Sequence, residues 1–113
     1  MAEQPLVLFE NNDEIVFVSA TYKETGLPYD LSDKTVKMYM KPKPSTSDTS
    51  TRTTILTSDS GQIEITDAIA GLAIIFVPRT VLQRPLTNWY RVDVIDGGSI
   101  RTIAYGTLSV VDL

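Results

Sequence analysis

Gly26-Leu27-Pro28-Tyr29-Asp30-Leu31-Ser32-Asp33-Lys34-Thr35-Val36-Lys37-Met38-Tyr39-Met40-Lys41-Pro42-Lys43-Pro44 joins a turn to a strand and then to a stop. Gly26 admits an unusual backbone angle, Pro28 fixes one, and Asp30 is a turn former. From Thr35 to Lys41 the side chains alternate, Val36, Met38 and Met40 on one side and Lys37, Tyr39 and Lys41 on the other. A period of two with one apolar side predicts a strand that buries the methionine face. Pro42 and Pro44 remove two ladder donors, so pairing ends there or lies at an edge. The stretch predicts a β domain and carries no catalytic pattern.

The flanks extend the same reading. Leu6 to Phe9 is a short apolar run, closed by Asn11-Asn12-Asp13. Glu14 to Tyr22 is apolar on both faces, which predicts a central strand covered on both sides. Ser45 to Thr51 holds no apolar residue, so a mobile surface loop is expected over about 44–51. Arg52 to Thr57 resumes a strand, and Asp59-Ser60-Gly61 predicts a hairpin-like turn before Gln62 to Thr66. Leu72 to Val77 is continuously apolar and predicts a buried strand ended by Pro78. Thr80 to Leu86 predicts one short helical turn crossing between sheets. Asn88 to Ile95 and Ile100 to Tyr105 flank Asp96-Gly97-Gly98, the strongest tight-turn signal in the chain. Gly106 predicts a bulge or bend before a last strand, Thr107 to Val111. The expected fold is all-β: a single domain over residues 1–113, an Ig-like antiparallel β-sandwich of about eight strands with a helical turn near 80–86.

Composition narrows the function. The chain has 113 residues, no cysteine, no histidine and a net charge of −4. Without cysteine there is no disulfide, thiolate nucleophile or Cys-based zinc site. Without histidine the commonest general base and transition-metal ligand are gone. Apart from Lys37, Lys41 and Lys43 the basic residues are scattered, which argues against nucleic acid. The longest apolar run, Ala68 to Val77, is half of what a spanning helix needs, so no membrane role is expected. The opening residues Met1 to Pro5 lack the basic and apolar regions of a secretory signal.

No constellation reads as catalytic. Asp59, Glu64, Asp67, Asp93 and Asp96 sit at turns or on polar strand faces, where acids act as turn formers and solvated charges. Asn12, Asp13 and Asp33 lack the spaced Asp-x-Asp-x-Asp-Gly pattern of a calcium loop. Serines and threonines are plentiful, but there is no Gly-x-Ser-x-Gly elbow and no base to activate a hydroxyl. The chain is therefore not expected to be an enzyme, and no metal or cofactor is expected. Trp89, with Arg91 and Tyr39 nearby, forms the candidate contact surface, although Trp89 also suits a simple covering role over a sheet.

Taken in order, these segments resemble the β-sandwich modules of tailed-phage virions, in baseplate upper proteins and in minor-tail or tail-fibre-connector proteins of actinobacteriophages. The likeness runs through Gly26 to Met38, the Gly61 to Ile65 hairpin, Gly71 to Val77, Thr80 to Leu86, Tyr90 to Val94 and the closing Gly106 to Val110. The resemblance implies a virion structural protein of tail, baseplate or head–tail junction, made in the host cytoplasm and present as a homo-oligomer or symmetric assembly with other virion proteins. No fibre-like continuation of the kind in the longer baseplate proteins is expected after Leu113, which favours a stand-alone adaptor or decoration role. Edge strands would then make the joints, the candidates being Leu6, Val7 and Leu8 in the first strand and Thr107, Leu108 and Ser109 in the last. The alternative is a stand-alone Ig-like domain that binds a host surface carbohydrate or protein, with carbohydrate the less favoured ligand.

Overall fold

Val36, Met38 and Met40 are almost wholly removed from water, and the strand they belong to lies next to the centre of the larger of two sheets. In the computed structural model the described residues are 4–9, 12–22, 24–50, 53–81 and 89–111. They form eight strands: β1 (Leu6–Phe9), β2 (Glu14–Ser19), β3 (Thr35–Lys41), β4 (Thr54–Thr57), β5 (Ile63–Asp67), β6 (Leu72–Val77), β7 (Trp89–Asp96) and β8 (Ser99–Val111). One sheet has the order β1-β8-β7-β3-β4 and the other β2-β6-β5. The expected β-sandwich is what the chain forms. In immunoglobulin terms β8, β7 and β3 are GFC, with β4 added as C′ and β1 added beside G, and this sheet faces BED.

Met38 pairs with Leu56 on β4 and Val92 on β7, so three buried side chains line up across the sheet. Ile75, Val77 and Ile63 meet them from the smaller sheet, and Leu31 closes the layer. Each such side chain contributes roughly 1.5–3 kcal/mol when fully buried. The predicted turn of the opening stretch is anchored to this core. The Tyr29 N–H donates to Ala20 O at 2.9 Å, and the Leu31 N–H donates to Ala68 O at 2.8 Å.

Four expectations change. Glu14 to Tyr22 is not a central strand: β2 ends at Ser19 and borders the smaller sheet, because β1 leaves for β8 instead of lying beside it. The sandwich is not wholly antiparallel, since β1 and β8 run parallel from Leu6↔Leu108 to Phe9↔Val111. Asp59-Ser60-Gly61 does not turn a hairpin. Ser58–Ser60 is a 3-10 turn that carries the chain from β4 in one sheet to β5 in the other, held where the Ser58 hydroxyl accepts the Val36 N–H. Gly106 neither bulges nor divides the last strand. A Cβ there would lie 2.5 Å from Gln4 O, so glycine serves the passage of the first residues over β8. In the described part of Ser45 to Thr51 the Ser47 carbonyl accepts the Thr53 hydroxyl, and Asp48 pairs with Lys41 and Arg91.

The bulge lies instead at Ile103. Val92 faces Ala104 and Asp93 faces Thr102, so one β8 residue is left over. That extra residue keeps Ile103 and Ala104 both buried and swings Thr102 outward to Asp93. The helical turn is present as a 3-10 turn at Arg79–Val81. Residues 82–86, with Asn11, Thr51, Arg52 and Asn88 of the segments read above, lie outside the described residues.

Gly71 carries the heaviest local demand. Its φ is +72°, and a Cβ would come within 2.5 Å of Ala20 O and 2.7 Å of Tyr29 O. Gly71→Ala is expected to cost about 2–4 kcal/mol by urea denaturation, strain plus displaced backbone. Gly97→Ala, at positive φ with nothing within 4 Å, should cost only the strain, about 1–2 kcal/mol. Equal losses would mean that the crowding at Gly71 is relieved at no cost.

Candidate functional site

The outer face of the larger sheet is built from the alternate residues of β3, β7 and β8. Tyr39 stands opposite Arg91, and Arg91 opposite Tyr105. The Arg91 guanidinium lies 4.4 Å from the centre of the Tyr39 ring. Its Nε donates to Asp93 at 2.9 Å and its terminal nitrogen to Asp48 at 2.8 Å. Asp93 is buried and also accepts the Thr102 hydroxyl at 2.8 Å. Lys41, only 4% exposed, makes its ion pair with Asp48. One loop carboxylate thus bridges two cations on the sheet, and Asp93 supplies the second negative charge.

This network sets the local charges. Hydrogen bonds from Arg91 and then Lys41 hold the Asp48 carboxyl below its usual range, against a smaller opposing effect of burial. Burial works against the Arg91 charge, but Asp48 and Asp93 outweigh it and raise its pKa. Burial chiefly, with the charges of Asp93 and Asp48, pushes the Tyr39 phenol up. Trp89 is half-buried and packs on Tyr105 with ring centres 5.8 Å apart. The structure therefore brings Tyr39, Trp89 and Arg91 onto one face, but the Arg91 guanidinium is already engaged by Asp48, Asp93 and the Tyr39 ring. A partner would have to break the Arg91 ion pairs to use that side chain.

The outer face of the smaller sheet is the opposite case. Ile15 faces Phe76 across the β2–β6 ladder, Phe17 faces Ile74 and Ser19 faces Leu72. Phe17 is 77% exposed and Ile15 54%, with Leu72 and Phe76 also open to water. A hollow of about 430 Å³ between Ile15, Phe76, Gln62 and Pro78 lies at one end of this ribbon. Five large apolar side chains in contiguous register are not the scattered exposure of an ordinary surface. Residues on β2 were read in the sequence as doubly covered, and the apolar signal on both faces was correct. Among the described residues nothing covers the face that carries Ile15 and Phe17.

Of the candidate joint residues, Leu6, Val7 and Leu8 do lie on an edge strand, β1. Thr107, Leu108 and Ser109 do not, because β8 is hydrogen-bonded to β1 on one side and β7 on the other. A third surface is the loop end. The β2–β3 loop presents Leu27, the β5–β6 turn Ile69 and the β7–β8 hairpin end Ile100, all largely exposed. Arg101 lies over the rings of Tyr22 and Tyr29 and ties these loops together. Among the described residues no group of three or more Asp or Glu side chains is arranged to hold a metal ion. None of their helices is long and apolar enough to cross a membrane.

Comparison with protein-family models and with curated proteins finds no match to this sequence.

Two measurements check these surfaces. Asp48→Asn leaves buried Lys41 without its carboxylate, which costs about 3–5 kcal/mol in a fully buried pair. Because the Asp48 side chain is 44% exposed, about 1–3 kcal/mol is expected at pH 7. The folded-state pKa of Asp48 is depressed, so its contribution is present above the unfolded value near 3.8 and is lost as pH falls through the folded value. The stability gap between wild type and Asp48→Asn should therefore close below about pH 4; a constant gap down to pH 2 would count against the network. Phe17→Ser should change stability by no more than about 0.5 kcal/mol, as an exposed position does, while lowering the binding of a hydrophobic dye.

Proposed function

We propose that the chain is a virion structural protein of a tailed bacteriophage, a small β-sandwich that joins parts of the tail, baseplate or head–tail junction by protein–protein contact. The observation that carries the contact role is the unpartnered apolar outer face of β2 and β6, led by Ile15, Phe17 and Phe76. Monomeric proteins seldom leave such a ribbon in water. The virion assignment rests on the order of the sequence segments from Gly26 to Val110. Its partners are other virion proteins and further copies of itself, and its place of action is the particle.

A second reading, an Ig-like domain that binds a host surface ligand, is favoured by the exposed Leu27, Ile69 and Ile100 on neighbouring loops of one end. The two readings use different surfaces. Antibody labelling of gradient-purified particles, with the coding neighbourhood, tests the first. Label on the particle and flanking tail-tube or tape-measure genes are expected. Absence from particles would overturn it. Charge substitution then separates the surfaces: Phe76→Glu should block incorporation into particles, whereas Leu27→Glu with Ile100→Glu should leave it intact. The reverse pattern would favour the host-binding reading.

A further inference from the structure

Among the described strands, β2 is the one sheet edge built without protection. β1 follows Pro5 and has four residues, β4 also has four, and β5 carries Glu64, Asp67 and an irregular register. β2 has six residues, and from Ile15 to Ser19 it holds no charge, proline or bulge. Such an edge is a template for another strand.

Its free groups can be assigned. The Phe76 N–H donates to Gln62 O on the β5 side, so Leu72, Ile74 and Phe76 turn their backbone toward β5. Ala73, Ile75 and Val77 therefore serve β2 through Val18, Val16 and Glu14. The Ala20 N–H to Gly71 O bond continues that alternation. What remains pointing outward is the N–H and C=O of Ile15, Phe17 and Ser19. Among the described residues no strand lies along them.

We propose that this edge pairs with β2 of a second copy, antiparallel and centred on Phe17. Three outward residues spaced two apart are self-complementary under a two-fold axis. Phe17 meets Phe17, and Ile15 meets Ser19 on either side, each facing pair exchanging both backbone bonds. The charges permit it. Asp13 falls opposite Thr21 and Glu14 opposite Ala20, so no like charges meet. The two apolar ribbons merge into one face across a six-stranded sheet. The edge alone buries less than the roughly 800 Å² per partner of a standard interface, so the dimer is concentration-dependent. The pairing follows from edge geometry and holds whatever particle the chain serves.

Sedimentation velocity on the purified chain, from about 10 µM to 1 mM, reads the equilibrium. A monomer–dimer transition is expected in that range. Phe17→Lys sets two ammonium groups face to face and should weaken association at least tenfold, with an unchanged circular dichroism melt because the side chain is exposed. The register is tested by rescue. Ile15→Glu should weaken the dimer, and adding Ser19→Lys should return it to within a few-fold of wild type, since each new carboxylate then faces a new ammonium. A monomer at 1 mM, a dimer indifferent to Phe17→Lys, or a double variant no better than Ile15→Glu would each overturn the pairing. A monomeric chain still found on particles refutes self-pairing and not the virion reading; a dimer absent from particles does the reverse.

Discussion

Gln4 crosses β8 directly over Gly106, and that crossing decides which sheet receives the first strand. The Gln4 N–H donates to Tyr105 O at 2.8 Å, and the hydroxyl of buried Tyr90 donates to Gln4 O. With the backbone fixed there, the chain continues alongside β8 in parallel and cannot border β2. In the immunoglobulin arrangement the strand before B completes the ABED sheet. Among the described residues no strand takes that place, so the smaller sheet has three described strands and β2 at its edge. The exposed ribbon at Ile15 and Phe17 is a consequence of where Gln4 is held.

The two outer faces then differ in how they meet water. On the larger sheet a polar network closes on itself: Asp48 comes over from the loop after β3, Lys41 sinks beneath it, and Arg91 is pinned between Tyr39 and Asp93. Buried charges are tolerated there because each has a partner. On the smaller sheet the outer side chains of β2 and β6 are apolar from Ile15 and Phe76 to Phe17 and Ile74, and among the described residues nothing packs over them. A surface that satisfies its own polar groups has little to gain from a partner, and a bare apolar ribbon gains on contact.

The sequence carried the strands with good fidelity where a single face was apolar. β3 runs over the residues that its alternation indicates, and Tyr90, Val92 and Val94 turn inward as their spacing requires. It failed where the answer depended on a distant contact. Apolar residues on both sides of β2 show that both faces avoid water but not what covers them. Gly106 was legible as special, yet only the passage of Gln4 shows that space, not bending, is the reason. Lys41 is buried against Asp48, and the hydroxyl-rich composition of the loop that holds Asp48 gives no sign of that pairing. Thr102 and Asp93 meet only because a bulge at Ile103 shifts the register, and no spacing rule announces it.

The parallel pairing of β1 with β8 also has a mechanical side. The chain enters β1 at Leu6, opposite Leu108, and leaves β8 at Val111, opposite Phe9. Tension applied ahead of Leu6 and beyond Val111 therefore pulls the two strands past each other along their length. The ladder is strained in shear, with all its rungs sharing the force at once, instead of being unzipped rung by rung. A sandwich wired this way is stiff when it is pulled along β1 and β8.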